Sequence, residues 1–218
     1  KSAKMTQLGE AVTRYHKILE AEPYKDLAWA HALQERMAEQ HLTVGGKPIS
    51  PVLRPHFITR RQYAGLTKAA ESLMASIDRV EKIAIGSPAL LSRMELLPAE
   101  KMLASVDPGY PFPSGTSLLD TQLHNGTIRC AQYNPDTPTG VAYGEALSNM
   151  FYDAPPVKEF RKRYTLEKLP GMKYLLIATL NSYKESGGKN KKPNSAILEF
   201  TKPFQTADLG ESLLITAF

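Results

Sequence analysis

The chain has 218 residues, of which 42% are hydrophobic, and its formal net charge is +5. This length and composition suffice to bury a core in one substantial domain or two small ones, and they exclude a chain that is disordered by composition. The longest apolar runs fall far short of the roughly 18 residues that a membrane-spanning helix needs, and no signal-peptide pattern opens the sequence. We therefore expect a cytoplasmic protein with no membrane partner.

The single cysteine, Cys130, excludes an intrachain disulfide and a metal site built from cysteines. Because Cys130 lies in a predicted strand, we expect it to be a small, buried hydrophobic residue.

Basic residues concentrate in two places, Arg161 to Arg163 and the lysine-rich segment from Lys184 to Lys192. The second segment also contains glycine, serine and proline, which is typical of a solvated loop. Neither cluster is interleaved with the aromatic residues of a single-strand binding platform, so we predict no nucleic-acid partner.

The first part of the chain, residues 1–106, is predicted to form a mainly helical region. Apolar residues at i, i+3 and i+4 predict one helix over about 6–21 and a second over about 25–41, which ends before Gly45-Gly46. Thr59 and Gln62 have the spacing of a capping box, and Ser87 followed by Pro88 is a further helix start. No catalytic or metal-binding pattern is found in this region.

Turn-forming residues over 107–115 mark a boundary, after which the sequence predicts two strands, over 116–123 and 127–133. Asn125-Gly126 between them is a strong hairpin signal. Side chains alternate between the two faces of a strand, so the length of this loop decides which residues share a face.

A two-residue loop would place Asp120 opposite Ala131 and leave Gln132 on the other face of the sheet. A three-residue loop, with a bulge and a glycine in the left-handed conformation, would pair Asp120 with Cys130 instead. Gln132 and Asn134 would then lie on the same face as Asp120.

The richest set of polar groups follows directly, in the stretch Gln132-Tyr133-Asn134-Pro135-Asp136-Thr137-Pro138-Thr139-Gly140. Each of these residue types is common in turns, so an ordinary turn-rich loop is one interpretation. The stretch is preceded, twelve residues before Gln132, by Asp120 and is followed by a predicted helix over 143–151.

Together these features resemble the metal and nucleotide segment of glutathionylspermidine synthase-like and circularly permuted ATP-grasp proteins. That segment has an Arg-x-Asp element followed by Glu-Tyr-Asn-Ala-Asp-Thr-Pro-Thr or a close variant. The resemblance is most specific over residues 107–160 and looser over the rest of 48–218.

The resemblance implies an ATP-dependent carboxylate–amine ligase that activates a carboxylate as an acyl phosphate, with ATP and Mg²⁺ as cofactors. Its substrates would be a small-molecule carboxylate and an amine. The expected metal ligands are Asp120, Gln132 and Asn134, which would also bind the nucleotide. The resemblance therefore predicts the three-residue loop with a bulge, because that loop puts all three residues on one face. Three further residues would shape the adjoining nucleotide-binding loop: Asp136, Thr137 and Thr139. No catalytic residue is assigned.

Two positions depart from the family pattern. Gln132 replaces a glutamate, which keeps an oxygen ligand but removes a negative charge, and Leu118 replaces the arginine, which removes a bidentate phosphate contact. Either another residue such as Arg129 compensates, or the chain is a degenerate, non-catalytic binding or assembly protein on the same scaffold. A third alternative, binding of a phosphate-rich polymer through the basic clusters, predicts a steep dependence on salt.

The rest of the chain is interpreted on the same basis. Residues 107–165 would form an ATP-grasp-like hairpin and loop, and 166–218 the start of an α/β lobe. That lobe would contain a helix over 166–183, a buried strand over 195–200 and a final helix starting near 206–208. The predicted fold class is α/β, or α+β. Since family members run about twice as far, we expect an N-terminal portion of a longer protein, or a piece whose missing portion is a partner chain.

Overall fold

A computed structural model of the chain describes residues 6–107, 109, 115–124, 126–135, 139–198 and 210–218. These residues form ten helices and two antiparallel, two-stranded sheets. The chain is therefore a mixed helix and sheet protein of the α+β class. In the described part of the chain, no helix is both long enough and apolar enough to cross a membrane.

The helices are α1 Gln7–Leu19, α2 Glu22–Lys25, α3 Ala28–Glu39, α4 Arg60–Ile85, α5 Pro88–Arg93, α6 Pro98–Ala104, α7 Val141–Asp153, α8 Pro155–Arg161, α9 Gly171–Glu185 and α10 Gly210–Ala217. The strands are β1 Thr43–Val44, β2 Lys47–Pro48, β3 Leu118–His124 and β4 Thr127–Asn134. The two sheets are the hairpins β1–β2 and β3–β4.

The chain divides into two compact units. The first, here called the helical unit, draws on Lys1–Phe57, Pro138–Ala178 and Asn190–Phe218. The second, the hairpin unit, draws on Ile58–Thr137 and Thr179–Lys189.

The core of the helical unit is built by apolar residues of α1, α3, α7 and α8. Its centre is Tyr15, which is fully buried and whose ring meets those of Phe57 and Phe160 edge to face. The Tyr15 hydroxyl donates a hydrogen bond of 3.1 Å to the Leu53 carbonyl, so its one polar group is satisfied. Burial raises the pKa of Tyr15, opposed in part by Arg54, and the phenol stays neutral.

Helix starts follow the local sequence signals. Thr59 and Gln62 form the predicted capping box, since the Thr59 hydroxyl accepts from the Gln62 amide at 3.1 Å and the Gln62 side chain accepts from the Thr59 amide at 2.8 Å. Ser87 caps α5 as predicted, and Thr6 caps α1. The predicted start at 25 is wrong, because Leu27 adopts a left-handed conformation with φ of 59° and separates α2 from α3.

Helix α3 ends in a Schellman motif, which was not predicted from the sequence. His41 occupies the left-handed position with φ of 57°, its amide bonds to the Ala38 carbonyl, and the Leu42 amide bonds to the Met37 carbonyl at 2.7 Å. The side chains of Leu42 and Met37 are both buried, which is the apolar contact that accompanies this motif. The helix therefore ends before Gly45-Gly46, whose two positive φ angles instead turn the hairpin β1–β2.

We expect His41→Gly to raise the free energy of unfolding by about 0.5–1 kcal/mol, because glycine adopts the left-handed conformation without the steric cost that histidine bears. Thermal unfolding measures the change. The same substitution at exposed His31, inside α3, is the matched control and should lower stability by roughly 0.3–0.5 kcal/mol, because histidine is itself a poorer helix former than alanine. Equal shifts of the same sign in both variants would contradict this account of the cap.

The C-terminal part departs from the predicted α/β lobe. The predicted helix over 166–183 is present as α9, shifted to Gly171–Glu185. The predicted buried strand is wrong over 195–198, where the chain is irregular and exposed; Glu199 and Phe200 lie outside the described residues. A strand needs a neighbour to bond its backbone, and each described strand pairs within its own hairpin. The start of the last helix predicted at 206–208 also lies outside the described residues, and α10 is present from Gly210.

Candidate functional site

The hairpin β3–β4 carries the residues on which the sequence interpretation depends. His124 pairs with Thr127, so the loop has two residues and the predicted three-residue loop is wrong. The plain ladder then continues from Leu123 with Ile128 to Thr121 with Cys130.

A bulge changes the register beyond that point. Thr121 pairs with Cys130 but Asp120 pairs with Gln132, so Ala131 is the extra residue of β4. Asp120 therefore lies directly opposite Gln132, and Leu118 lies opposite Asn134. Asp120, Gln132 and Asn134 therefore lie on one face, as expected. The cause is different: a bulge within the strands shifts the register, whereas the prediction attributed the shift to a longer loop.

Alternation along the two strands separates a polar face from a more apolar one. We call the first the polar face of the hairpin; its cross-strand pairs are Leu118 with Asn134, Asp120 with Gln132, Gln122 with Arg129 and His124 with Thr127. The opposite face packs against α4, where the Ile128 side chain lies 3.4 Å from the place that a Cβ on Gly65 would take. Seven of the eight residues on the polar face are therefore polar and directed away from α4.

The side chains of the polar face offer oxygen ligands. Asp120 is exposed, and the Gln132 side-chain amide donates to the Asn134 side-chain oxygen at 3.1 Å. These carboxylate and amide oxygens are of the kind that Mg²⁺ prefers. The described residues contain no group of three or more histidine, cysteine, aspartate or glutamate side chains that could hold a metal ion. A site here fits Mg²⁺ only where phosphate and water complete the coordination, as they often do for Mg²⁺.

The register also locates Leu118, which stands where the ATP-grasp pattern has an arginine. Leu118 is half-buried at the place where that arginine would stand, opposite Asn134. Arg129 is exposed, pairs with Gln122 and lies on the polar face one cross-strand pair from Asp120. Its guanidinium is thus on the correct face to contact a phosphate held near Asp120.

The loop residues Asp136 and Thr137 lie outside the described residues. Thr139 is exposed and precedes Gly140, which has φ of 93° at the start of α7. The amides of Gly140 and Ala142 donate to the carboxylate of Glu211 at 2.7–3.0 Å. A carboxylate from α10 thus satisfies the N-terminus of α7, and no local pattern predicts it because Glu211 is 71 residues beyond Gly140.

Cys130 is exposed, so its predicted burial is wrong, because α4 covers only part of that face of the hairpin. The lysines of the predicted solvated loop are exposed, as expected. In the cluster from Arg161 to Arg163, Arg161 lies 3.5 Å over the Tyr152 ring and Lys162 bonds to Glu159 at 2.6 Å, which raises the pKa of Lys162. Arg163 lies 6.0 Å over the Tyr164 ring, so all three cations of the cluster are engaged within the helical unit.

The helical unit contains a cavity of about 340 Å³ that was not predicted from the sequence. Its lining comes from the segment 50–57, from α7 and α8, and from residues 166–168. Four consecutive residues of the first segment line it: Arg54, Pro55, His56 and Phe57. Two basic side chains beside a proline are the sequence signal of this segment, but they assign it no function by themselves.

The chain matches no protein-family model, and no similar curated protein or solved structure was found. A functional proposal therefore depends on the residues of the chain and their geometry.

Proposed function

We propose that the polar face of the hairpin binds Mg²⁺–ATP, as part of an ATP-dependent carboxylate–amine ligase of ATP-grasp type. The observation that carries the proposal is the bulge at Ala131, because it brings Asp120 opposite Gln132 and places Asn134 on the same face. A regular two-residue hairpin without the bulge would instead put Gln132 on the face opposite to Asp120.

In this proposal Asp120 supplies the charged metal ligand, and the amide oxygens of Gln132 and Asn134 supply neutral ones. Bound Mg²⁺ would neutralise the charge that moves between the β- and γ-phosphates. The substrate carboxylate takes the γ-phosphoryl group and releases ADP, and the amine then attacks the acyl phosphate and releases phosphate. Arg129 would hold a phosphate oxygen in place of the family arginine.

Gln132→Glu tests the proposal by adding a second carboxylate opposite Asp120. We expect Mg²⁺-dependent ATP binding to tighten roughly tenfold, because a charged oxygen ligand replaces a neutral one. Calorimetric titration of ATP, with and without Mg²⁺, measures the change. Thr127→Glu is the matched control, since it adds the same charge to the same face at a residue that pairs with neither Asp120 nor Arg129, and it should leave ATP binding unchanged.

Asp120→Asn should abolish the metal dependence of binding. If neither the natural chain nor Gln132→Glu binds Mg²⁺–ATP at millimolar nucleotide, the ligase proposal is overturned.

The second candidate is a non-catalytic binding or assembly protein. One observation favours it: apolar side chains around α6 are unusually exposed in the hairpin unit, namely Leu97 at 65%, Met102 at 67%, Leu103 at 66% and Val106 at 63%. Apolar exposure of this kind is common on surfaces that contact another protein. The absence of ATP binding in the experiment above would leave this candidate as the better account.

A further inference from the structure

We infer that the cavity of the helical unit is a binding site for a small organic carboxylate with an apolar body. The inference is independent of the proposal for the hairpin, because every residue that lines the cavity belongs to the helical unit.

The cavity has an apolar floor. Phe57, Phe151 and Val157 line it, and the last two are buried members of the core. Its volume of about 340 Å³ falls at the lower end of the range that small-molecule sites occupy. The floor therefore suits a compact aliphatic or aromatic group.

Charged groups of the lining carry a net positive charge. The lining contains two cations, Arg54 and Lys168, and one carboxylate, Glu167, so these side chains sum to one positive charge. Among the described residues, Arg54 forms no ion pair. An arginine that forms no ion pair and lines a partly apolar cavity favours an anionic ligand. Its planar guanidinium can bind a carboxylate through two hydrogen bonds.

The segment that carries Arg54 is held at both ends. The buried Tyr15 hydroxyl bonds to the carbonyl of Leu53, directly before Arg54. Three residues further on, the Phe57 ring stacks on Phe160 with centroids 4.9 Å apart. Arg54 is thus carried by a backbone already ordered by the core, which reduces the entropy lost when a ligand binds.

Lys168 is also held, from the side of α7. Its ammonium donates to the Asn149 side chain at 2.5 Å and lies 5.0 Å from the Tyr152 ring centroid. Arg161 lies over the same ring at 3.5 Å and bonds to the Tyr152 carbonyl. The Tyr152 ring, which lines the cavity, is therefore in contact with two cations.

Gly144 is the smallest residue that α7 contributes to the lining of the cavity. It is exposed and lines the cavity, and a Cβ built on it would meet nothing within 4 Å. Glycine inside a helix costs stability relative to alanine. The open space beside Gly144 can thus be filled by a larger side chain without a clash in the backbone.

The experiment is a titration of the full isotope-labelled chain with three probes, followed by the amide signals of Gly144 and Phe151 in two-dimensional NMR. The probes are hydrocinnamate, the neutral hydrocinnamyl alcohol, which has the same apolar body, and acetate, which has only the carboxylate. We expect hydrocinnamate to shift both signals and to bind roughly tenfold or more tightly than either of the other two, because a charge-assisted contact and the apolar floor both contribute.

Variants locate the site. Arg54→Gln should weaken hydrocinnamate binding about tenfold, while Arg36→Gln, which removes the same charge from an exposed position on α3, should leave it unchanged. Gly144→Leu should abolish binding and Gly144→Ala should keep the fold with a helix at least as stable. Asp120→Asn should leave hydrocinnamate binding unchanged, which separates this site from the hairpin.

Three results would overturn the inference. They are equal affinity for the acid and the alcohol, hydrocinnamate binding to Arg54→Gln as tight as to Arg36→Gln, and no shift of the Gly144 signal at millimolar hydrocinnamate.

Discussion

Replacing Phe160 by alanine should lower the free energy of unfolding of the helical unit by about 3–5 kcal/mol, the usual cost of removing a buried aromatic ring. Phe160 is fully buried and contacts three other rings. Its centroid lies 5.5 Å from that of Tyr15, 4.9 Å from Phe57 and 4.5 Å from Tyr164. The substitution therefore leaves a cavity and removes several aromatic contacts at once.

Denaturant unfolding followed by fluorescence measures this loss. Trp29 is the only tryptophan of the chain and is buried in the same core, so its emission reports on the helical unit. Tyr174→Ala is the control, because Tyr174 is 61% exposed and its removal leaves no buried cavity. A similar loss in both variants would show that the aromatic cluster is not the centre of the core.

Leu42→Ala should cost about 2–5 kcal/mol, which is the range for a leucine removed from a packed core. Leu42 is fully buried, and its backbone also joins α3 to the hairpin β1–β2: its amide bonds to Met37 and its carbonyl accepts from Ile49 at 2.9 Å. Alanine keeps both backbone bonds, so the change isolates the contribution of the side chain.

The same fluorescence measurement applies to this variant. Val44→Ala, two residues further along, removes a side chain that is 57% exposed and should change the free energy of unfolding by well under 1 kcal/mol. If Val44→Ala costs as much as Leu42→Ala, the apolar contact of the Schellman motif is not what holds this corner of the helical unit.

Features that depend on residues close in the sequence could be predicted. The capping residues Thr59 and Ser87 start helices where expected, because a cap is made by a side chain and an amide only three residues apart. The Asn125-Gly126 signal likewise located the hairpin, because the residues on either side of it, His124 and Thr127, pair with each other.

Features that leave no recognisable signal in the local sequence could not be predicted in this way. The end of α3 relies on His41 in a conformation that usually belongs to glycine, and burial of Leu42 compensates for that cost. The bulge at Ala131 leaves no mark on the hydrophobic pattern, and the cap of α7 comes from Glu211 in another helix. The segment 195–198 is predicted as part of a strand, but every strand in the described part of the chain is paired within its own hairpin.

The bulge also separates the tip of the hairpin from its base, which matters for protein engineering. Four regular cross-strand pairs, Thr121–His124 with Thr127–Cys130, lie between the loop and Asp120. A reporter peptide inserted at the exposed Gly126 would extend the loop without altering those pairs, so the tip is a suitable attachment point for labels. Insertions within 127–134 are unsuitable, since a single added residue there reassigns which side chains point towards α4.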